Sequence, residues 1–173
     1  MSEESPAELT DEERQQALEL AEANRLEKLF KFTHGHRIRY DEVDAQGVVG
    51  SGAWFNLLHL ARVEYLRNLG LFMEGGGRTP VQLVVRRSVI EFLVPARFDD
   101  AIIFRVRCAH LGNSSALFEY LVDNGDELRL LGAETLMACV EMATFQSTDW
   151  PLIFRERVQE FEGEDLVVGQ LIR

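Results

Sequence analysis

Apolar residues repeat along this chain with two different periods. Ala17, Leu20, Ala21, Leu26, Leu29 and Phe30 recur at an imperfect helical spacing. Ahead of them Thr10-Asp-Glu-Glu13 matches a capping box, with Thr10 as N-cap and Glu13 reaching back. Residues 1–9 carry no such pattern and read as frayed. His36 to Tyr40 alternates as a strand would, with Ile38 toward a core. Residues 52–69 then read as a second helix. Ala53, Trp54, Phe55, Leu57, Leu58, Leu60, Ala61, Val63, Tyr65, Leu66 and Leu69 cover nearly its whole circumference, and Gly70 suits its C-terminal stop. A helix of that kind is expected to be wrapped by the rest of the protein.

Beyond the Gly75-Gly-Gly77 loop the period drops from 3.6 to 2. Residues 80–94 are rich in Val, Ile, Leu and Phe and end at Pro95. Ile102, Phe104, Val106 and Cys108 alternate with Ile103, Arg105 and Arg107, and Ala116, Phe118, Tyr120 and Val122 alternate with Leu117, Glu119 and Leu121. Residues 128–142 make a long last strand. Turns at Gly112-Asn113 and Asp123-Asn-Gly-Asp126 predict antiparallel hairpins. A short helix is expected after Pro151. The order is helix, strand, helix, then four antiparallel strands, an α+β class in which one long apolar helix needs a curved sheet around it.

Composition narrows the functional classes. The chain has 173 residues and suits one domain with a sizeable core. Its net charge of −11 argues against a nucleic-acid surface or an anionic membrane as partner. Residues 1–30 hold nine acids against three bases, so about half of that charge lies in the first helical segment. Cys108 and Cys139 lack any CxxC spacing and are expected to be reduced core residues of a cytoplasmic protein. The acidic N-terminus is unlike a signal peptide, and no apolar run reaches the ~20 residues of a membrane span.

Several familiar catalytic motifs are missing. Ser51 is flanked by Val49 and Ala53 where a hydrolase elbow needs glycines. The triple glycine lacks the Lys and Ser/Thr of a P-loop, and His34-x-His36 alone does not make a metal site. The stretch Asp41-Glu-Val-Asp44-Ala-Gln-Gly47-Val-Val-Gly50 is more informative. Carboxylates stand between strand and helix, followed by glycines that let backbone N–H groups approach a ligand, next to the unpaired donors of a helix N-terminus. That combination suits a base or nucleophile beside an oxyanion-stabilising turn. It equally suits an aspartate that simply caps its turn.

Three motifs in order tip the balance. Tyr40-Asp-Glu-Val-Asp44-Ala-Gln-Gly47-Val-Val49, then Ala61-Arg62-x-Glu64-x-Leu66-Arg67, then Ile90-Glu-Phe92-x-x-Pro95-Ala-Arg97-Phe-Asp-Asp100 resemble the 4-hydroxybenzoyl-CoA thioesterase family, nearest to its YbgC/FadM-type acyl-CoA thioesterases, over roughly residues 36–145. The resemblance implies a hotdog fold, a long central helix wrapped by a curved antiparallel sheet. Here it would carry an extra acidic N-terminal helical extension (1–35), a thioesterase domain (36–148) and a C-terminal tail with a short helix (149–173). It also implies acyl-CoA thioester hydrolysis without cofactor or metal, in a homodimer or homotetramer. Asp44 would be the catalytic carboxylate, as nucleophile or general base, and Tyr40 a polar neighbour. Ser51 would polarise the carbonyl through its backbone N–H, with Gly47, Val48, Gly50, Trp54 and His59 around the substrate. Arg86, Arg87 and Arg97 are candidates for the CoA phosphates, while Glu64 and Arg67 are structural.

This chain departs from the family pattern at two places. Many YbgC-type members carry tyrosine and histidine where Gly50 and Ser51 stand, and an acid where His59 stands. The plain expectation for His59 is a hydrogen-bonded core histidine on the side of Asn56 and Arg62; the other is a substitute for the missing imidazole. A carrier-protein thioester remains open as substrate. So do a non-catalytic acyl-binding or assembly role, with the N-terminal helix as docking element, and a hotdog dehydratase or hydratase.

Overall fold

The computed structural model describes residues 15, 25–71, 82–126, 128–141 and 143–169. The chain divides into two units at Phe30 and Lys31. In the first, residues 25–28 are helical, and the Thr10–Glu13 capping box lies outside the described residues, as does the Gly75–Gly77 loop. The second unit carries strand β1 (Phe32–Arg37), a 3₁₀ turn at Tyr40–Glu42, helix α1 (Ser51–Asn68) and strands β2 (Leu83–Phe92), β3 (Ala101–Leu111), β4 (Ser115–Asn124) and β5 (Arg129–Cys139). Helix α2 (Leu152–Glu162) and a short strand β6 (Val167–Val168) follow.

The strands form one sheet in the order β1-β3-β4-β5-β2, antiparallel throughout, with β6 joining β3 in parallel. The predicted hairpins at Gly112 and Asp123 are the β3–β4 and β4–β5 connections. Period-2 alternation sends Ile102, Phe104, Val106, Cys108, Ala116, Phe118, Tyr120, Val122, Leu131, Ala133 and Met137 to the buried face. Against that face α1 packs Trp54, Leu57, Leu58, Ala61, Tyr65 and Leu66. This is the hotdog arrangement of a long helix in a curved antiparallel sheet.

Three local expectations change. The first strand runs over Phe32–Arg37, ahead of its expected place, because Phe32 already pairs with Val106 and the chain turns into the 3₁₀ segment at Tyr40. Ile38 is nonetheless buried and donates to Asp100 O. Helix α1 is not wrapped all round: Phe55 is 51% exposed and Leu60 36%. An all-apolar helix shows in its sequence that it must be covered, without showing which side its own chain leaves open. Strand β6 was not expected, being two residues too short to show a period.

Helix α1 ends as Gly70 dictates. Gly70 takes φ +68°, its N–H donates to Arg67 O at 2.9 Å, and Leu71 N–H donates to Leu66 O at 2.9 Å. These two bonds make a Schellman stop that buries Leu66 against Leu71.

The segment after residue 148 joins the same core through Trp150, Phe154, Val158 and Leu166. At its centre Glu162 is only 1% exposed, with Tyr65 Oη donating to its Oε1 at 2.5 Å and Cys108 N–H at 2.8 Å. Its Oε2 is buried without a partner among the described residues. Lys31 Nζ donates to the carbonyls of Phe161 and Glu162 at 3.1 and 2.6 Å, a cation on the helix C-terminus. Burial raises the Glu162 carboxyl above its ordinary range, against the lowering pull of Tyr65 and the Cys108 amide.

A carboxyl raised by folding favours the folded state below its unfolded pKa of 4.5 and loses that contribution as pH rises through the folded value. Glu162→Gln keeps the acceptor toward Tyr65 and cannot ionise. Its stability relative to wild type is therefore expected to increase from pH 4.5 until the pH has passed the raised folded value, and then to level off. Urea midpoints measured on both proteins across that range check it, and a pH-independent difference would refute it.

Candidate active site

The loop between β1 and α1 sorts its carboxylates by partner. Arg39 donates twice to Asp41, at 3.0 and 2.8 Å, and this pair holds the Asp41 carboxyl below its ordinary range. Glu42 sits 2.9 Å from His36 Nε2 and accepts the Arg39 backbone N–H at 2.8 Å. Asp44 has neither kind of tie. It is exposed, its Oδ1 accepts only the Gln46 N–H at 2.8 Å, and no cation faces it among the described residues. The turn-capping expectation is thus met by one oxygen, and the other takes no partner there.

The backbone around Asp44 is tightly tied. Asp44 N–H donates to Val48 O and Gly47 N–H to Asp44 O, both at 2.9 Å, and Gly47 takes φ +75°. Bridges join Val43 to Val49 and Val48 to Arg97, and Val49 N–H donates to Ala96 O at 2.9 Å. The loop is a hairpin fastened to the segment that leaves β2. It delivers the chain into α1 at Gly50, whose N-cap position carries no side-chain cap. Gly50 N–H is used by Glu42 O at 3.3 Å, and the first helical bond runs from Trp54 N–H to Gly50 O. The amides of Ser51, Gly52 and Ala53 are the orphan donors of the first turn, at the positive end of the helix dipole. A Cβ placed on Gly50 would lie 3.9 Å from Asp44 Cβ, so the carboxylate is rooted beside that terminus.

The expected site residues divide into three places. Asp44, Gly47, Val48, Gly50 and Ser51 lie together at the loop and helix terminus. Ser51 and Trp54 line a cavity of about 380 Å³ with Val49, Phe92 and Pro95. Tyr40 does not line this cavity; it is 81% exposed and edge-on to Phe98 at 6.0 Å. The arginines do not form one group. Arg97 is beside Val48, whereas Arg86 and Arg87 line a second cavity of about 400 Å³ that also holds His59.

His59 is not a core residue. It is exposed at the side of that second cavity, and Arg62 Nη2 donates to its Nδ1 at 3.0 Å. Burial, and then the Arg62 charge, keep its imidazole below the usual histidine range. Arg62 itself is 5% exposed and donates to Tyr120 Oη at 2.7 Å. Ser88 and Thr135 face the same cavity with hydroxyls 3.1 Å apart. Sequence reasoning missed Tyr120, Ser88 and Thr135. No local signal marked them, since their strands also carry Arg86, Arg87, Glu91 and Glu134.

A model of the thioesterase superfamily matches residues 46–130. The acyl-CoA thioester hydrolase YbgC of Escherichia coli O6:H1 is 30% identical over 105 residues, 61% of this chain and 78% of that protein. The chain belongs to the thioesterase superfamily. Among other members, the acyl-CoA thioesterase YbgC of Haemophilus influenzae is 26% identical over 121 residues, 69% of this chain and 88% of its own. The fold matches the 1,4-dihydroxy-2-naphthoyl-CoA thioesterase of Synechocystis with a TM-score of 0.67, covering 76% of this chain and 97% of that one at 17% identity. The superfamily match begins within the Asp44–Ser51 loop, takes in α1, β2 and the β3–β4 hairpin, and ends at the start of β5. Among the described residues no His, Cys, Asp and Glu cluster could hold a metal ion, and no helix is long and apolar enough to cross a membrane.

The two glycines of the loop should respond differently to a methyl group. Gly47→Ala forces a side chain into positive φ and is expected to cost about 1 kcal/mol. Gly50→Ala adds only an ordinary contact with Asp44 and should be tolerated. Paired urea denaturation of the two variants checks the difference, and equal costs would show that the loop is not held as described.

Proposed function

We propose that this thioesterase-superfamily chain hydrolyses acyl-CoA thioesters, with Asp44 as the catalytic carboxylate. One observation carries the reading: Asp44 is the acid of its cluster that faces no cation, and it stands beside a helix N-terminus with no side-chain cap. The activity for which the relatives are named, acyl-CoA thioester hydrolysis, supports the same reaction here.

In this reading the thioester carbonyl oxygen lies on the N–H groups of Ser51 and its neighbours. Charge developing on that oxygen then meets fixed donors and the helix dipole. Asp44 either takes a proton from attacking water or attacks the carbonyl carbon itself. The C–S bond breaks and CoA leaves as the thiol. Gly47 and Val48 shape the floor, Gly50 leaves room for the acyl carbon, and Trp54 walls the cavity. Exposed Tyr40, at the start of the same loop, is a polar neighbour, and Arg97 beside Val48 is placed to meet a CoA phosphate. A carrier-protein thioester would present the same bond. We assign the active form to a homo-oligomer, because edge strand β2 leaves Val85, Val89 and Phe92 exposed, with Leu93 just beyond it. A hydratase needs an available histidine–acid pair. The pair at the loop, His36 with Glu42, has side chains only 13% and 10% exposed and lines neither cavity.

Thiol release from short, long and aromatic acyl-CoAs tests the proposal. Wild type should release CoA, and Asp44→Asn should lower kcat by roughly 10²–10⁴-fold, the range for losing a general base, while keeping its circular dichroism. Acyl-CoA binding without thiol release from any of them would favour a binding or assembly role. Undiminished turnover by the variant would remove Asp44 from the chemistry.

A further inference from the structure

The cavity beside His59 has an unusual charge balance for this chain. Among the described residues its lining includes Arg62, Arg86 and Arg87 and no aspartate or glutamate, in a protein of net charge −11. Arg62 is the central case. The residue is 5% exposed, and its guanidinium donates to two neutral groups, Tyr120 Oη and His59 Nδ1, with no carboxylate partner among the described residues. Three carboxylates elsewhere on the fold do have arginine partners: Asp123 has Arg105 and Arg129, Glu119 has Arg107, and Glu64 has Arg67. A buried guanidinium without a counter-charge is costly, and an arriving anion offsets that cost.

The histidine completes a receptor rather than a base. A guanidinium has no acceptor, so Nδ1 must hold the lone pair that Arg62 donates to. The proton then sits on Nε2, and His59 is a neutral N–H donor. Of the Ser88 and Thr135 hydroxyls one donates to the other, which leaves one further hydroxyl donor on the opposite wall. The break in pairing register between Val85 and Arg87 is what brings Arg86 and Ser88 to this cavity.

Position along the helix ties the cavity to the thioester. Ser51, Phe55, His59 and Arg62 follow one another at helical spacings of three and four residues along one side of α1. Ser51 lines the first cavity, and Phe55, one turn on, lines the second. The axial distance from Ser51 to His59 is about 12 Å at the α-helical rise, within reach of a medium-length acyl group whose carbonyl rests on the Ser51 N–H.

We propose that this second cavity is a subsite for an anionic acyl terminus, so that the preferred substrates are CoA half-thioesters of dicarboxylic acids. The proposal rests on the hydrolase reading above for its reaction. Water adds its oxygen to the acyl carbon, the C–S bond breaks, the thiolate leaves and is protonated, and a dicarboxylic acid and CoA result with no change of oxidation state. The far carboxylate takes no part in the chemistry; it pairs with Arg62 and accepts from His59 Nε2–H.

The test compares acyl-CoAs of equal chain length ending in a carboxylate or a methyl group, on wild type, His59→Glu and His59→Gln. In wild type kcat/KM should favour the carboxylate. In His59→Glu the new acid pairs with Arg62 three residues on, and the carboxylate-to-methyl ratio should fall by about tenfold or more. His59→Gln, which still offers Arg62 an acceptor and the ligand a donor, should keep most of the preference. A parallel arm measures calorimetric binding of non-hydrolysable S-alkyl-CoA thioethers with and without a terminal carboxylate. Thiol release with no carboxylate preference in either arm overturns the subsite and leaves the hydrolase reading intact, as would be seen if a second copy of the chain places an acid against Arg62. Carboxylate-selective thioether binding without thiol release upholds the subsite and overturns the hydrolase reading.

Discussion

When eighteen residues of helix are laid against a sheet, the polar groups at the helix ends must still be satisfied. At the C-terminus of α1 the chain does this internally, through the Gly70 stop. At the N-terminus it does not: Gly50 brings no capping side chain. The position of that end is set from outside the helix. Val48 and Val49 are bonded to Arg97 and Ala96 on the strand of chain that leaves β2, so the loop cannot swing away. The site thus depends on a buried helix with one unfinished end, held in place by a neighbouring segment.

That dependence explains which parts of the molecule were legible in the sequence. The change of period from 3.6 to 2 displayed the helix and the four long strands, because burial on one face writes itself directly into residue order. Asp44 stood out through its motif. The physical reason that it differs from Asp41 and Glu42 was not legible, because it lies in their partners. Arg39 is near in sequence, but His36 reaches Glu42 only after the strand has turned into the 3₁₀ segment.

His59 shows the same limit more sharply. Its spacing from Arg62 announced a contact on one helix face. What that contact means depends on Tyr120, 58 residues beyond Arg62, and on the carboxylates that are absent from the cavity lining. The core expectation for His59 failed because apolar neighbours on a helix do not say which side the chain will leave open. Likewise nothing local marked Glu162 as a core residue. It is acidic, sits in a run of charged positions, and is buried only because Tyr65 and the Cys108 amide meet it there.

The uncapped terminus of α1 also bears on inheritance. A donor that belongs to the main chain has no side chain to mutate away. Residues 50 and 51 can therefore carry side chains other than the glycine and serine found here while the helix goes on presenting its amides at the same spot. Change at these positions reshapes the wall of the chamber and spares the donors. A lineage built on such a terminus can explore new acyl groups by single substitutions, each intermediate keeping the main-chain donors in place.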